Sequence, residues 1–127
     1  MAACGDSSKA ATISKAEFLT KGNAICATLN AHLADVGAGI TTEEAAVAYL
    51  GDEFVPGLTD TVNQIRALGF PKGDEALLGG LMDDTDAVLA DITADPTTFA
   101  AATEDPFADI NAQLITYGLT VCGQADS

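Results

Sequence analysis

The side chains able to carry out chemistry in this sequence are three cysteines and a single histidine. Cys26 and Cys122 are separated by most of the chain and belong to no CxxC pair, which is a poor signature for a metal site. No His/Asn arrangement stands next to either thiol in the sequence to activate it as a nucleophile. His32 with Met82 could ligate a haem or a metal, but there is no CxxCH motif and no second histidine. We therefore expect no enzymatic activity and no cofactor.

Carboxylates are abundant, and their densest group is Asp83, Asp84 and Asp86. Neighbouring positions on a helix fan out around its axis, so these acids cannot converge on a cation as the ligands of an EF-hand loop do. The whole chain has 19 Asp and Glu against 5 Lys and Arg, a formal charge of −14. Such a charge repels phosphate backbones, and we expect no nucleic-acid binding. A solvated acidic surface, or one that meets a basic partner, is expected instead.

The elements that must position these side chains are predicted to be helices. From Ser14 to Val36 the apolar residues recur at steps of three and four, after a Ser14–Glu17 capping box, and Cys26 and His32 lie in this apolar seam. A second capping box, at Thr41 with Glu44, opens a helix that reaches Leu68. Pro56 lies inside that helix and predicts a kink near residues 52–56, which could splay two helices and open a pocket.

Two further helices complete the predicted fold. Asp74 is the expected N-cap of the third, which ends at Asp95-Pro96, and Asp105-Pro106 begins the fourth, which ends at Gly118. Four helices with short turns and no strand-like alternation predict an all-α fold, specifically an antiparallel four-helix bundle over residues 14–123. Residues 1–13 are expected to be a flexible tether, and residues 124–127 a polar tail.

The three cysteines are consistent with a four-helix bundle if one carries lipid and the other two form a disulfide. The opening residues AACG resemble a bacterial lipobox, in which small residues precede a cysteine that carries lipid, so Cys4 is the predicted lipidation site. The remaining pair, Cys26 and Cys122, would meet because the chain after the fourth helix can lie alongside the first. Exported proteins reside where disulfides persist, and a Cys26–Cys122 disulfide is therefore predicted.

Three segments resemble a loose set of small exported actinobacterial proteins. They are ISKAEFLTKGNAIC, LGFPKGDEALLGGLMDDTDAVLADITADP and DPFADINAQLITYGLTVCG. The matching features are Ile13-Ser14-Lys15, the mid-helix Cys26, the turn at 71–74, and Tyr117-Gly118 followed by Cys122-Gly123. The resemblance implies an exported helical lipoprotein of unknown function and carries over no catalytic residue.

The function predicted on these grounds is a non-catalytic interaction or accessory domain outside the cytoplasm, either lipid-anchored or secreted. It would act as a peripheral subunit of a membrane complex and bind a protein partner there. A basic partner would fit the negative charge of the chain. The alternative is a carrier or sensor that holds a small apolar ligand between helices. A cavity along the interface of the first two helices would favour the carrier, and a filled core the interaction domain. The candidate pocket residues are His32, Phe54, Pro56, Met82 and Tyr117.

Overall fold

A computed structural model describes residues 13–124, and all the regular structure in that range is helical. The helices are α1 (Lys15–Gly37), α2 (residues 43–68), α3 (Glu75–Ala94), α4 (Pro96–Ala101) and α5 (Ala108–Tyr117), followed by a 3₁₀ turn at Cys122–Gln124. The all-α prediction is confirmed. The predicted lipidation site Cys4, with nearly all of the predicted tether and tail, lies outside the described residues.

The described part of the chain forms five helices where the sequence predicted four. The additional helix is α4, which lies between the predicted third and fourth helices. It begins at a strong local signal, because the Asp95 carboxylate accepts the backbone N–H of Thr98 at 3.1 Å and Pro96 occupies the first helical position.

Side-chain caps fix where α1 and α2 begin. The Ser14 hydroxyl accepts the backbone N–H of Glu17 at 3.1 Å, as the capping box predicted. The cap of α2 lies one residue later than predicted, because Thr42 rather than Thr41 accepts the N–H of Ala45, at 3.0 Å. A Thr-Thr pair offers two hydroxyls at adjacent positions, and the sequence does not distinguish between them.

Helix α2 contains an irregularity next to its proline. Its α-helical segments Glu43–Tyr49 and Val55–Leu68 are joined by a π-helical segment, Leu50–Phe54. Pro56 has no N–H to donate to the carbonyl of Asp52, and the N–H of Val55 donates to Leu50, five residues back. The disturbance predicted near residues 52–56 therefore takes the form of a π insertion.

The core is built around one stripe of α1. The buried residues of this stripe are Phe18, Gly22, Cys26, Leu29 and Leu33. After α5 the chain turns back along the stripe, as predicted, and Leu119 is fully buried there. A β-carbon at Gly22 would lie 2.8 Å from Cδ2 of Leu119, so the close approach of the two segments depends on glycine at that position.

Aromatic clusters mark the two ends of the molecule. At the first, which we call the Phe18 end, the ring centroid of Phe18 lies 5.9 Å from that of Phe70 and 6.2 Å from that of Tyr117. The Tyr117 hydroxyl donates to the Asp74 carboxylate at 2.7 Å. Burial and this carboxylate raise the pKa of Tyr117, so the phenol stays protonated. Asp74 is at the N-cap of α3 as predicted, but its side chain caps no backbone N–H.

The second cluster defines the Phe54 end. The Phe54 ring is the hub, with centroid distances of 6.3 Å to Tyr49, 6.1 Å to Phe99 and 5.9 Å to Phe107. These rings come from the start of α2, from α4 and from the residue before α5. The Phe54 end is thus assembled from segments far apart in the sequence.

The predicted Cys26–Cys122 disulfide is present and fixes the returning chain to the middle of α1. It joins residues 96 positions apart. Asn23 reinforces the attachment, since its amide donates to the carbonyl of Gly118 at 3.2 Å and accepts the N–H of Val121 at 3.0 Å. The C-terminal segment is therefore held to α1 by a covalent bond and by hydrogen bonds.

Candidate functional site

A wide groove of about 900 Å³ lies at the Phe54 end. Its floor is apolar and is formed by the buried side chains of Leu33, Leu50 and Phe54. Tyr49 and the half-buried Phe99 also line it. The polar lining comes from Asn30, Thr103, Glu104, Asp105 and Gln124. The groove is large enough for a ligand of drug size or for part of a peptide.

A second groove, of about 500 Å³, lies on the other side of the segment that joins α4 to α5. The two grooves share Phe99, Ala102 and residues 104–106, so this segment forms a ridge between them. The second groove adds two more carboxylates, those of Asp91 and Asp95. Among the described residues, no lysine, arginine or histidine lines either groove.

Asn30 contributes an incompletely bonded polar group to the wall of the first groove. Its amide nitrogen donates to the carbonyl of Val121 at 3.3 Å. Its side-chain oxygen is buried and accepts no hydrogen bond from any described residue. By contrast Asn23, two turns earlier on α1, uses both its nitrogen and its oxygen. A buried acceptor without a donor is costly, but this oxygen has almost no exposed surface and a ligand N–H would reach it only if the Asn30 side chain turned outward.

Tyr49 supplies a neutral hydroxyl at the rim of the first groove. Burial raises the pKa of this phenol, and the nearby Glu53 carboxylate raises it further. Tyr49 therefore stays protonated through the neutral range and can both donate and accept a hydrogen bond. Glu53 itself does not line the groove, and its carboxylate lies 2.9 Å from Nε2 of His32.

The wall formed by α4 depends on an exposed carboxylate whose pKa is shifted. Hydrogen bonds from the Thr98 hydroxyl, at 2.6 Å, and from the Thr98 N–H lower the pKa of Asp95. None of the residues of α4 is fully buried, so this cap matters for its persistence. Because the pKa of Asp95 is lower in the folded protein than in the unfolded chain, the cap stabilises α4 fully at pH values above the unfolded-chain pKa. This stabilisation is lost as the pH falls through the lower pKa of the folded protein.

We therefore expect α4 to fray before the rest of the fold when the pH falls from about 5 to about 2. The measurement is the chemical shift and hydrogen exchange of the Thr98 amide, followed by NMR. Asp95→Ala should remove the transition and leave α4 frayed at every pH, whereas Asp84→Ala, on the exposed surface of α3, should leave the transition unchanged. A Thr98 amide that does not respond to pH would contradict the role assigned to this cap.

Beneath the Phe54 end lies a small internal cavity of about 40 Å³. It is lined by side chains of α1, α2, α3 and α5 together with the disulfide, and Phe54 and Met82 are both part of its wall. Its lining is almost entirely apolar, and its volume holds a few water-sized molecules at most. The interior of the bundle is therefore nearly filled. An open groove of about 380 Å³ lies on the surface between α1 and α2, and Leu29, His32 and Gly57 are among its lining residues.

The five pocket residues predicted from the sequence do not form one site. Phe54 and Met82 share the internal cavity, while Tyr117 is at the Phe18 end. His32 lies beside the buried stripe rather than in it, with its side chain 51% exposed and Nε2 2.9 Å from Glu53. Pro56 follows the π segment and lines none of the grooves described above.

Of the residues that line the first groove, only Phe54 was among the predicted pocket residues, and those missed include Asn30, Phe99 and Glu104. Phe99 and Glu104 fall between two predicted helices, where no periodicity indicates burial or a partner. Asn30 precedes His32 on α1 and looks like any polar helix residue. The only available signal was the apolar Phe99 in an otherwise polar connection.

Within residues 13–124, no group of three or more His, Cys, Asp or Glu side chains could hold a metal ion. None of the helices in this range is long and apolar enough to cross a bilayer. The disulfide is compatible with a protein outside the cytoplasm.

Comparison with known proteins gives no relative from which a function could be transferred. The chain matches no protein family model, no curated protein and no solved structure.

Proposed function

We propose that this protein is a non-catalytic interaction domain outside the cytoplasm, anchored by lipid on Cys4, that acts as a peripheral subunit of a membrane complex. The observation that carries the proposal is the separation of charge along the molecule. Residues 22–65 and 73–124 contain no lysine or arginine. The cations of the described chain are Lys15, Lys21, Arg66 and Lys72.

These cations all belong to the Phe18 end or its neighbourhood. Two are in the first two turns of α1, one is in the last turn of α2, and one is in the turn that follows. Lys15 lies over the Tyr117 ring, 4.3 Å from its centroid, and Arg66 pairs with Asp83 and Asp86 at 2.9 Å. At the Phe54 end of the described chain the carboxylates have no lysine or arginine partner, and Glu53 pairs with His32.

A lipid on Cys4 would bring the Phe18 end towards the bilayer, because residues 1–13 lead into α1 there. Cations near an anionic lipid surface are favourable by roughly 1 kcal/mol each, and carboxylates are repelled. In this proposal α1, α2, α3 and α5 form an antiparallel four-helix bundle that serves as a spacer. Helix α1 alone, at 1.5 Å per residue, would hold the Phe54 end about 35 Å from the lipid surface.

The partner is expected to be basic where it meets this protein. Opposite charges speed encounter and select the partner, and the two grooves present only carboxylates as charged groups. The nearly filled interior favours an interaction domain over a carrier that encloses a small apolar ligand, since a cavity of about 40 Å³ is far smaller than an ordinary ligand pocket. A carrier would need the open groove rather than the bundle interior.

Photo-crosslinking in the native host tests the proposal. A photoreactive residue in place of Glu104, at the Phe54 end, should give a discrete adduct with one membrane-associated protein. The same residue in place of Ala76, in the first turn of α3, is the matched control and should give none. Cys4→Ser should release the protein from the membrane fraction and abolish the adduct. Recovery of free monomer alone, with no adduct from either position, would refute the proposal.

A further inference from the structure

The geometry of the Phe54 end points to a specific kind of occupant: we infer that the first groove binds a basic peptide segment of the partner. An apolar side chain of the segment lies on the groove floor, and a lysine or arginine beside it meets Glu104. The inference rests on the proposed function, because it gives the chemistry of the partner segment that an interaction domain of this kind recognises.

The floor of the groove accounts for the apolar anchor. Leu33, Leu50 and Phe54 are only 5–6% exposed, yet they line a surface open to solvent. Phe99 stands beside them and its ring is tilted by 30° against that of Phe54. Protein interfaces draw most of their affinity from a few aliphatic or aromatic side chains placed in such apolar depressions. A purely hydrophilic cation would leave this floor uncovered.

The rim accounts for the positive charge. Glu104 is exposed and no hydrogen bond or ion pair with a described residue occupies its carboxylate, so it is available to a ligand cation. Asp105 beside it accepts the N–H of Phe107 at 2.8 Å and so combines a structural role with its charge. With no cation lining either groove, the nearest positive charge must come from the ligand. An acidic or phosphorylated segment would be repelled.

The extent of the concave surface favours a peptide over a free amine. Asn30 lines the first groove, but its unsatisfied side-chain oxygen has almost no exposed surface, so a backbone N–H of the segment would reach it only if the Asn30 side chain turned outward. The second groove across the ridge at residues 102–106 gives the segment room to continue past Glu104.

A random octapeptide library displayed on phage, selected against the purified disulfide-bonded chain, provides the test. Selected sequences should combine one or two Lys or Arg with a neighbouring aliphatic or aromatic residue. The best sequence is then synthesised and its Kd measured by calorimetry. Raising the salt from about 0.05 to about 0.5 M should weaken binding without abolishing it, since only the charged part is screened.

Matched variants locate the site. Glu104→Lys should weaken the peptide roughly tenfold, whereas Asp84→Lys, the same charge change on the exposed surface of α3, should change the Kd less than about twofold. Phe99→Ala should also weaken binding roughly tenfold. Leu77→Ala, which truncates a side chain that is 45% exposed and lines neither groove, should not.

The inference is overturned if the library yields no basic-apolar sequence, or if Glu104→Lys and Asp84→Lys weaken the peptide equally, which would indicate attraction to net charge alone. These failures are distinct from failure of the proposed function. A crosslinked partner that maps to another surface would preserve the interaction domain and remove the groove peptide. A peptide bound in the groove, with no partner found at the membrane, would preserve the groove peptide and refute the role in a membrane complex.

Discussion

Replacing both Cys26 and Cys122 by alanine is expected to lower the free energy of unfolding by about 4 kcal/mol. The disulfide closes a loop that spans 96 positions, nearly the whole described fold, and so removes much of the conformational freedom of the unfolded chain. The variant should still fold, because Leu119 is fully buried on α1 and Asn23 holds Gly118 and Val121. Guanidinium denaturation followed by circular dichroism measures the loss.

Reduction of the unmodified protein is the natural control and should give a similar loss of stability. A double variant whose stability falls by less than about 1 kcal/mol would show that the unfolded chain is already restricted, or that the reduced fold repacks. The double variant should also exchange the amides of the 3₁₀ turn faster than those of α3, because the turn loses its covalent attachment to α1.

Phe18→Ala is expected to destabilise the protein by about 3–5 kcal/mol. Phe18 is fully buried, and its ring meets Phe70 and Tyr117 edge to face at the Phe18 end. The substitution removes the apolar contact area and both ring contacts. It also leaves a cavity that the surrounding side chains can fill only in part. Equilibrium denaturation again provides the measurement.

Leu77→Ala is the matched truncation at the same end of the molecule. Because the Leu77 side chain is 45% exposed, its loss should cost less than about 1 kcal/mol. Comparable losses for the two variants would mean that Phe18 is not a main contributor to the core. The comparison separates the effect of burial from that of simply shortening an apolar side chain.

These two predictions concern the part of the molecule that keeps the groove in place. Helix α1 carries Phe18 at one end, Cys26 in the middle, and Asn30 and Leu33 in the groove at the other end. The disulfide holds the C-terminal segment, whose Gln124 also lines the groove. A loosened α1 would therefore change the groove although none of the substituted residues lines it.

Much of the fold could be predicted because its signals are local. Ser14 caps α1, Gly118 ends α5 with a φ of +122°, and the α1 stripe follows helical periodicity. The pairing of Cys26 with Cys122 also followed, since a chain with few cysteines leaves few choices. Lipidation of Cys4 and export stay predictions.

The π segment and the groove depended on tertiary structure. Pro56 predicted a disturbance, but whether the helix bends or inserts a residue is decided by what its neighbours bury, here Leu50 and Phe54. His32 was expected in the apolar seam and lies beside it, because the neighbours of α1 cover Leu29 and Leu33 instead.

By itself the sequence determined the helical class, the Ser14 cap and the excess of negative charge, which depend on residue type and near-neighbour spacing, and it indicated the disulfide because two cysteines remained to be paired. It did not determine every helix start: α5 begins at Ala108 with Phe107 as its N-cap, not at the predicted Asp105-Pro106. Only the tertiary structure decided that α4 folds over the Phe54 end and that Phe99, Glu104 and Asn30 line one groove. The reason is physical: periodicity reports which face of a helix is buried, but not which distant segment buries it. The residues of the candidate site come from α1, α2, α4 and the C-terminal turn, and no local pattern in the chain connects them.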